Sequence, residues 1–158
     1  VMWTARGPEL LEYNVRFGDP ETQVLMQLLD EDLAALLLEV AEGRLRSREV
    51  KLKPHTAITV VLAAEDYPAG AKKGVPIQIG DTACTVIHAG TRREHGQWLT
   101  NGGRVLNLAT SAPDLAAARA AVEADLAKVT WPGMQARRDI GLKALRHAQA
   151  GKGVRDAW

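Results

Sequence analysis

Polar and apolar residues alternate one for one from Leu11 to Phe17, and helical spacing begins directly afterwards. In a β-strand successive side chains point to opposite faces, so the alternation would place Glu12, Asn14 and Arg16 on one face and Tyr13, Val15 and Phe17 on the other. Together with the apolar run at 1–5 and the turn signal Gly7-Pro8, residues 10–17 predict an antiparallel hairpin, the exposed remnant of a larger sheet. Asp19 before Pro20 predicts a helix start, with Asp19 as N-cap, Pro20 in the first helical position and Glu21 complementing the helix dipole. That helix should run to about residue 29. A second should start at Asp30, with Leu33, Leu36, Leu37 and Val40 on its apolar face and Gly43 to stop it.

The texture then changes. Residues 44–54 are rich in Arg and Lys and read as a solvated linker. Residues 56–64 form a nearly continuous β-branched run, as expected of a strand covered on both faces. Further strands are expected at 75–79, 82–88, 97–100 and 104–110, and their short Gly-rich connections favour an antiparallel sheet. Asp114 can cap a helix reaching about residue 129, whose stripe of Leu115, Ala118, Val122, Leu126 and Val129 should lie on that sheet. Trp131-Pro132-Gly133 breaks the chain, 140–148 reads as a last short helix, and the tail from Gly151 is expected to fray. The fold class is therefore α+β, an antiparallel sheet with packed helices.

Composition narrows the classes of function. A chain of 158 residues suits one domain with a real core plus a small appendage. Twenty Lys and Arg against nineteen Asp and Glu, dispersed throughout, leave neither a nucleic-acid footprint nor a polybasic membrane anchor, although a small anionic substrate is compatible. No apolar run is long enough to span a bilayer, and the start lacks the layout of a signal peptide. The single Cys84 excludes an internal disulfide within the chain and sits in an apolar run as a small core residue would, which fits a reducing cytoplasmic setting. The start at Val1 is what a domain fragment would show.

Candidate chemistry concentrates near the start. Glu12 and Asn14 offer hard oxygen donors of the kind that hold Mg²⁺ together with waters and substrate phosphates, and Arg16 can grip a phosphate or carboxylate bidentately. The same three residues would equally suit the solvent face of an edge strand. Two glycine segments, His88-Ala89-Gly90-Thr91 and Asn101-Gly102-Gly103-Arg104, permit close backbone approach to a ligand or, equally, tight turns between strands. Neither has the spacing of a nucleotide-binding loop. His88 has no Cys or second His at ligand spacing, Asp19 and Glu21 have helix-start roles, and Arg137, Arg138 and Asp139 form a charged entrance to the last helix.

The block Arg16-Phe17-Gly18-Asp19-Pro20-Glu21, with Gln23 two positions on, resembles the signature of the phosphoribosylamine-glycine ligase family. The Glu12-x-Asn14-x-Arg16 part is shared with the wider ATP-grasp ligases, biotin carboxylase included. Further matches follow in the family's order: Tyr67-Pro68 with Gly70, His88-Ala89-Gly90-Thr91, Gly102 to Leu106, and Arg138-Asp139-Ile140-Gly141 before Ala144-Leu145. The resemblance covers about residues 12–145. Val75 and Gln27 depart from the family's usual Asp and Pro.

The resemblance implies that residues 1–45 end an ATP-grasp lobe, with a metal-binding strand and two helices that bridge lobes. Residues 46–150 would form the C-terminal α+β domain and 151–158 a tail, with the upstream ATP-grasp lobes of the same enzyme as partners. It implies a cytoplasmic ligase of purine biosynthesis that joins glycine to 5-phosphoribosylamine through a glycyl phosphate, with ATP as co-substrate. Glu12 and Asn14 would then be ligands of Mg²⁺ or Mn²⁺. Arg16 would be catalytic, and Arg104 with Gly102 and Gly103 would contact phosphoribosylamine. Two alternatives stand beside it: the end of another ATP-grasp ligase, or a non-catalytic subunit docking with a separate nucleotide-binding chain through apolar side chains of the hairpin. Because the residues that would cradle adenine and the triphosphate lie upstream in this family, the 158-residue chain alone is expected to show no glycine-dependent ADP release in a coupled assay.

Overall fold

The computed structural model describes residues 1–149, so the expected tail at 151–158 lies outside the described residues. In chain order the elements are β1 (Met2–Thr4), β2 (Gly7–Glu9), α1 (Glu21–Leu28), α2 (Leu33–Ala41), β3 (Thr56–Ala63), β4 (Gln78–Ile79), β5 (Thr85–His88), β6 (Thr91–Glu94), β7 (Gln97–Thr100), β8 (Arg104–Ala112), α3 (Leu115–Leu126), β9 (Val129–Thr130), β10 (Gln135–Ala136) and α4 (Leu142–Gln149).

The β-branched run becomes the inner strand β3, paired antiparallel with β8 from Thr56 opposite Ala112 to Leu62 opposite Leu106. β10 and β5 complete a sheet of order β10-β3-β8-β5, antiparallel throughout as expected. Alternation along the two inner strands divides the sheet's faces. Ile58, Val60, Leu62, Leu106 and Leu108 join Ala118, Val122 and Leu126 of α3 in the apolar core. Leu62, Leu106, Leu108 and Leu126 are at most 2% exposed, each contributing roughly 1.5–3 kcal/mol by burial. The opposite face lies under α1, which packs on β3 and β8. β3 is thus covered on both sides, as its composition requires.

Several boundaries differ from expectation for identifiable reasons. Asp114 caps α3 through its carboxylate, accepting from the Ala117 amide at 2.8 Å, but the helix ends at Leu126. Val129 stays buried by entering β9 opposite Ile79 rather than by extending the stripe. The strand expected at 75–79 is reduced to β4, and the one expected at 82–88 to β5. The strand β6 reads Thr-Arg-Arg-Glu, and pairing with β7, without burial, holds these charges in extended form.

The N-terminal hairpin is shorter than the alternation suggested. Its turn is Ala5-Arg6, not Gly7-Pro8, with Thr4 Oγ1 donating to the Gly7 carbonyl at 3.0 Å and Pro8 opposite Trp3. Residues 10–17 form no strand and are exposed on every side, so Glu12, Asn14 and Arg16 do not share a strand face. Alternation sets a face only where a neighbouring strand takes up the backbone hydrogen bonds, and no described strand pairs with this segment.

The helix starts move as well. α1 has Pro20 in the cap position with no side-chain cap bond, and Asp19 turns its carboxylate elsewhere. The cap of α2 is Asp32, not Asp30, and Asp32 accepts from the amides of Ala34 and Ala35 at 2.8 and 3.1 Å. Gly43, at φ +64°, ends that helix. The apolar residues Leu37, Leu38 and Val40 of α2 remain about half exposed. The charged stretch is not a free linker: Leu52 bridges Leu29, the Asp30 amide donates to Lys51, and Arg48 pairs with Glu31 at 2.7 Å.

One charge lies within the core. Asp125 of α3 accepts from the Cys84 amide at 2.6 Å and pairs with Lys128 at 2.8 Å. Burial by itself would raise its pKa, but the Lys128 ammonium and the hydrogen bonds from Cys84 outweigh that and hold the carboxyl at about 2. Cys84, buried as expected, has its thiol pushed up to about 11 by burial and then by Asp125. A depressed carboxylate stabilises the fold above its unfolded pKa, and that contribution is lost as pH falls towards the folded value. In urea unfolding, the stability advantage of wild type over Asp125→Asn is therefore expected at neutral pH and should close as pH falls from about 4 to about 2.

Candidate functional site

Two clefts lie side by side on the α1 face of the sheet. The first, about 560 Å³ and widely open, is lined by Asn14, Arg16, Phe17, Gly18, Thr22 and Thr59, among others. The second, about 390 Å³ and more enclosed, is lined by Val61, Tyr67, Gln135, Arg137 and neighbours. Pro20 and Thr59 border both, so the two meet at the start of α1 and form one trough. Asn14 and Arg16 are brought together in the first cleft. Glu12 is not among its walls.

Beside the junction, at the residue before Pro20, an ion pair spans 85 positions of sequence. Arg104 Nε donates to Asp19 Oδ2 at 2.9 Å, and Asp19 Oδ1 accepts from Gln23 Nε2 at 2.8 Å. Among the described residues no other hydrogen bond or ion pair joins residues 1–50 to residues 56–149. Asp19 first, and then the Tyr67 side chain, keep the guanidinium firmly charged. Arg104 Nη1 donates to the Tyr67 hydroxyl at 3.3 Å, which leaves the hydroxyl its own proton to donate.

The glycines expected near substrate are required by packing. A Cβ on Gly103 would stand 2.5 Å from the Tyr67 ring, and one on Gly90 would stand 2.7 Å from both the Arg104 carbonyl and Gly102 Cα. The Gly90 amide donates to the Arg104 carbonyl, and the Asn101 amide to the Gly90 carbonyl. These two turns are therefore locked to one another, and through Gly103 to the ring that supports Arg104. His88 belongs to an aromatic stack, its ring 4.1 Å from that of Trp98 and its Nδ1 3.0 Å from Thr91 Oγ1; burial lowers its pKa.

Arg137 and Arg138 do flank the entrance to α4, but they divide. Arg138 pairs with Glu123 at 2.9 Å, whereas Arg137, held by Asp139 at 2.6 and 3.0 Å, also lines the second cleft. Tyr67 and Gln135 are trough residues that spacing did not single out, and Asp19, next to the shared Pro20, was read only as a helix cap. The signal available was the distribution of matched blocks along the chain: those at 16–21, 67–70, 102–106 and 138–141 border or lie close to one trough.

Among the described residues no group of three or more His, Cys, Asp or Glu side chains is placed to hold a metal ion, and no described helix is long and apolar enough to cross a membrane. Glu12 and Asn14 supply two exposed oxygen donors of the type that suits Mg²⁺, and a complete shell would need oxygens from phosphate and water. Because the three nearest neighbours of a Cβ at position 90 are backbone atoms that cannot rotate away, Gly90→Ala is expected to destabilise the fold by about 1–3 kcal/mol, measurable as a lowered urea midpoint with an unchanged slope.

Comparison with known proteins bears on this site. Residues 57–143 match the family described as phosphoribosylglycinamide synthetase, C domain. The phosphoribosylamine–glycine ligase of Brucella melitensis is 41% identical over 157 residues, covering 96% of this chain and 37% of that protein. Its counterpart in Mycobacterium tuberculosis is 46% identical over 143 residues, covering 89% and 34%. The crystal structure of phosphoribosylamine–glycine ligase from Thermotoga maritima superposes with a TM-score of 0.78 at 36% identity, covering 87% of this chain and 34% of the other. The chain thus spans about a third of the length of these relatives.

Proposed function

The chain belongs to the phosphoribosylglycinamide synthetase family, and from that membership we propose that it forms the C-terminal part of an ATP-dependent ligase joining glycine to 5-phosphoribosylamine. The observation that carries the proposal is that Arg16 and Asn14 line one open cleft, while Asp19 of the same short segment is tied to the sheet through Arg104.

In the proposed reaction a glycine carboxylate oxygen attacks the γ-phosphorus of ATP and ADP departs. The amine of phosphoribosylamine then attacks the carbonyl of the glycyl phosphate, inorganic phosphate leaves, and the amine gives up a proton as the amide forms. The first step brings two anions together, and Arg16, in the wall of the first cleft, offers a cation against that repulsion. A divalent cation held by Glu12, Asn14, water and phosphate oxygens would neutralise further charge on the nucleotide. Arg104, through its remaining Nη2 donors, would touch the amine substrate, with Gly102 and Gly103 setting the backbone beside it.

The remaining parts of the ATP site would come from the rest of the ligase. Trp3, Tyr13, Val15 and Phe17 are 60% or more exposed, and these apolar side chains give the upstream lobes a surface to fold against. The same surface would serve a separately encoded nucleotide-binding chain. The family match removes the third option, a different kind of ATP-grasp ligase. In the full-length enzyme Arg16→Ala is expected to lower kcat by about 10²–10³-fold with an unchanged melting temperature, read by ADP release and thermal unfolding. An unchanged rate would remove Arg16 from the chemistry.

A further inference from the structure

Resting on the ligase reading above, we propose that the second cleft is the seat of the phosphorylated ribose of the amine substrate, with Tyr67 and Arg137 contacting it. The volume of about 390 Å³ falls within the roughly 300–1,000 Å³ range of small-molecule sites. Val61, Ala63 and Ile140 make part of its wall apolar, and Tyr67, Gln135 and Arg137 bring polar groups to it. Apolar surface with a few directed polar groups suits a sugar ring carrying one charged end.

The donors are arranged for an anion. Arg137, in the wall of the cleft, is gripped by Asp139 through Nε and Nη2, and Arg104, behind the lining Tyr67, is gripped by Asp19 through Nε. A guanidinium has five N–H donors in a fixed fork, so both retain donors, on Nη2 of Arg104 and Nη1 of Arg137. The carboxylates hold the planes in place, and a phosphate, like a carboxylate, can take the remaining guanidinium donors bidentately. Tyr67 lines the cleft and accepts from Arg104, so its hydroxyl proton is available as another donor. Two cations and two carboxylates make this region close to neutral, so recognition here rests on directed hydrogen bonds more than on long-range attraction.

Placement relative to Arg16 gives the cleft its ligand. The two clefts meet at Pro20 and Thr59, with Arg16 and Asn14 in the first. Phosphoribosylamine carries its nucleophilic nitrogen and its phosphate at opposite ends of the ribose. With the phosphate held by Arg137, the nitrogen is directed towards the junction and the acyl group formed in the first cleft.

The test uses the full-length ligase. Arg137→Ala is expected to raise KM for 5-phosphoribosylamine about tenfold to hundredfold, with KM for glycine and ATP at wild-type values and Arg137→Lys recovering part of the loss. An unchanged KM for phosphoribosylamine, or an equal rise in all three, overturns the proposal. Calorimetry with ribose 5-phosphate separates this inference from the ligase reading. Wild type should bind it at least about tenfold more tightly than Arg137→Ala, while unphosphorylated ribose binds both alike. Equal binding of ribose 5-phosphate to both proteins, or none to wild type, overturns the cleft assignment whether or not ligation is observed. Ribose 5-phosphate binding lost on Arg137→Ala, in a protein that does not ligate, keeps the cleft and overturns the reaction.

Discussion

The antiparallel ladder between β3 and β8 is the constraint that everything else obeys. It joins two segments some fifty residues apart and, because side chains alternate, assigns every residue on them to one face or the other. Ile58, Val60, Leu62, Leu106 and Leu108 go to the core with α3. Thr59, Val61 and Ala63 go to the trough under and beside α1. A one-residue slip in register would exchange the two sets, putting threonine into the core and leucine into the trough. The register that builds the hydrophobic core also builds the floor of the candidate site.

The start of β8 carries a second division of labour. Arg104 is half exposed at the strand's edge, while Val105 and Leu106 directly after it are fully buried. A rigid strand therefore presents one flexible side chain at a fixed point. Its nearest supports are a glycine that leaves room for the Tyr67 ring and a carboxylate that arrives from the other end of the sequence. An exposed ion pair of this kind contributes at most about 1 kcal/mol, so its importance lies in orientation and not in stability. The packing of α1 on the sheet provides the bulk of the attachment.

The sequence revealed elements well where burial and local pattern agreed. The β-branched run of β3, the stripe of α3 with its Asp114 cap, and Gly43 after α2 all combine a period with a chemical reason for the boundary. Residues 10–17 misled because alternation is a statement about two environments, and this segment meets only one of them. The strand β6 lacks that signature for the opposite reason, since Arg92, Arg93 and Glu94 are exposed and kept extended by pairing with β7 rather than by burial. At the candidate site, motif and spacing drew attention to Arg16, which lines the first cleft, and to Arg104, which pairs with Asp19 beside it. Asp19 could be read only as a helix cap, because its partner stands 85 residues away, and Arg137 lay hidden in a charged cluster whose members separate only in three dimensions.

Cys84 has a practical side. It is the chain's only cysteine, enclosed beside Asp125, and its thiol stays protonated at neutral pH. Thiol-directed dyes and spin labels consequently meet a silent background. Single cysteines engineered on the two banks of the trough, one on the N-terminal segment and one on the sheet, can be tagged without first removing the native residue. The separation of those banks thereby becomes a quantity that spectroscopy can follow in solution.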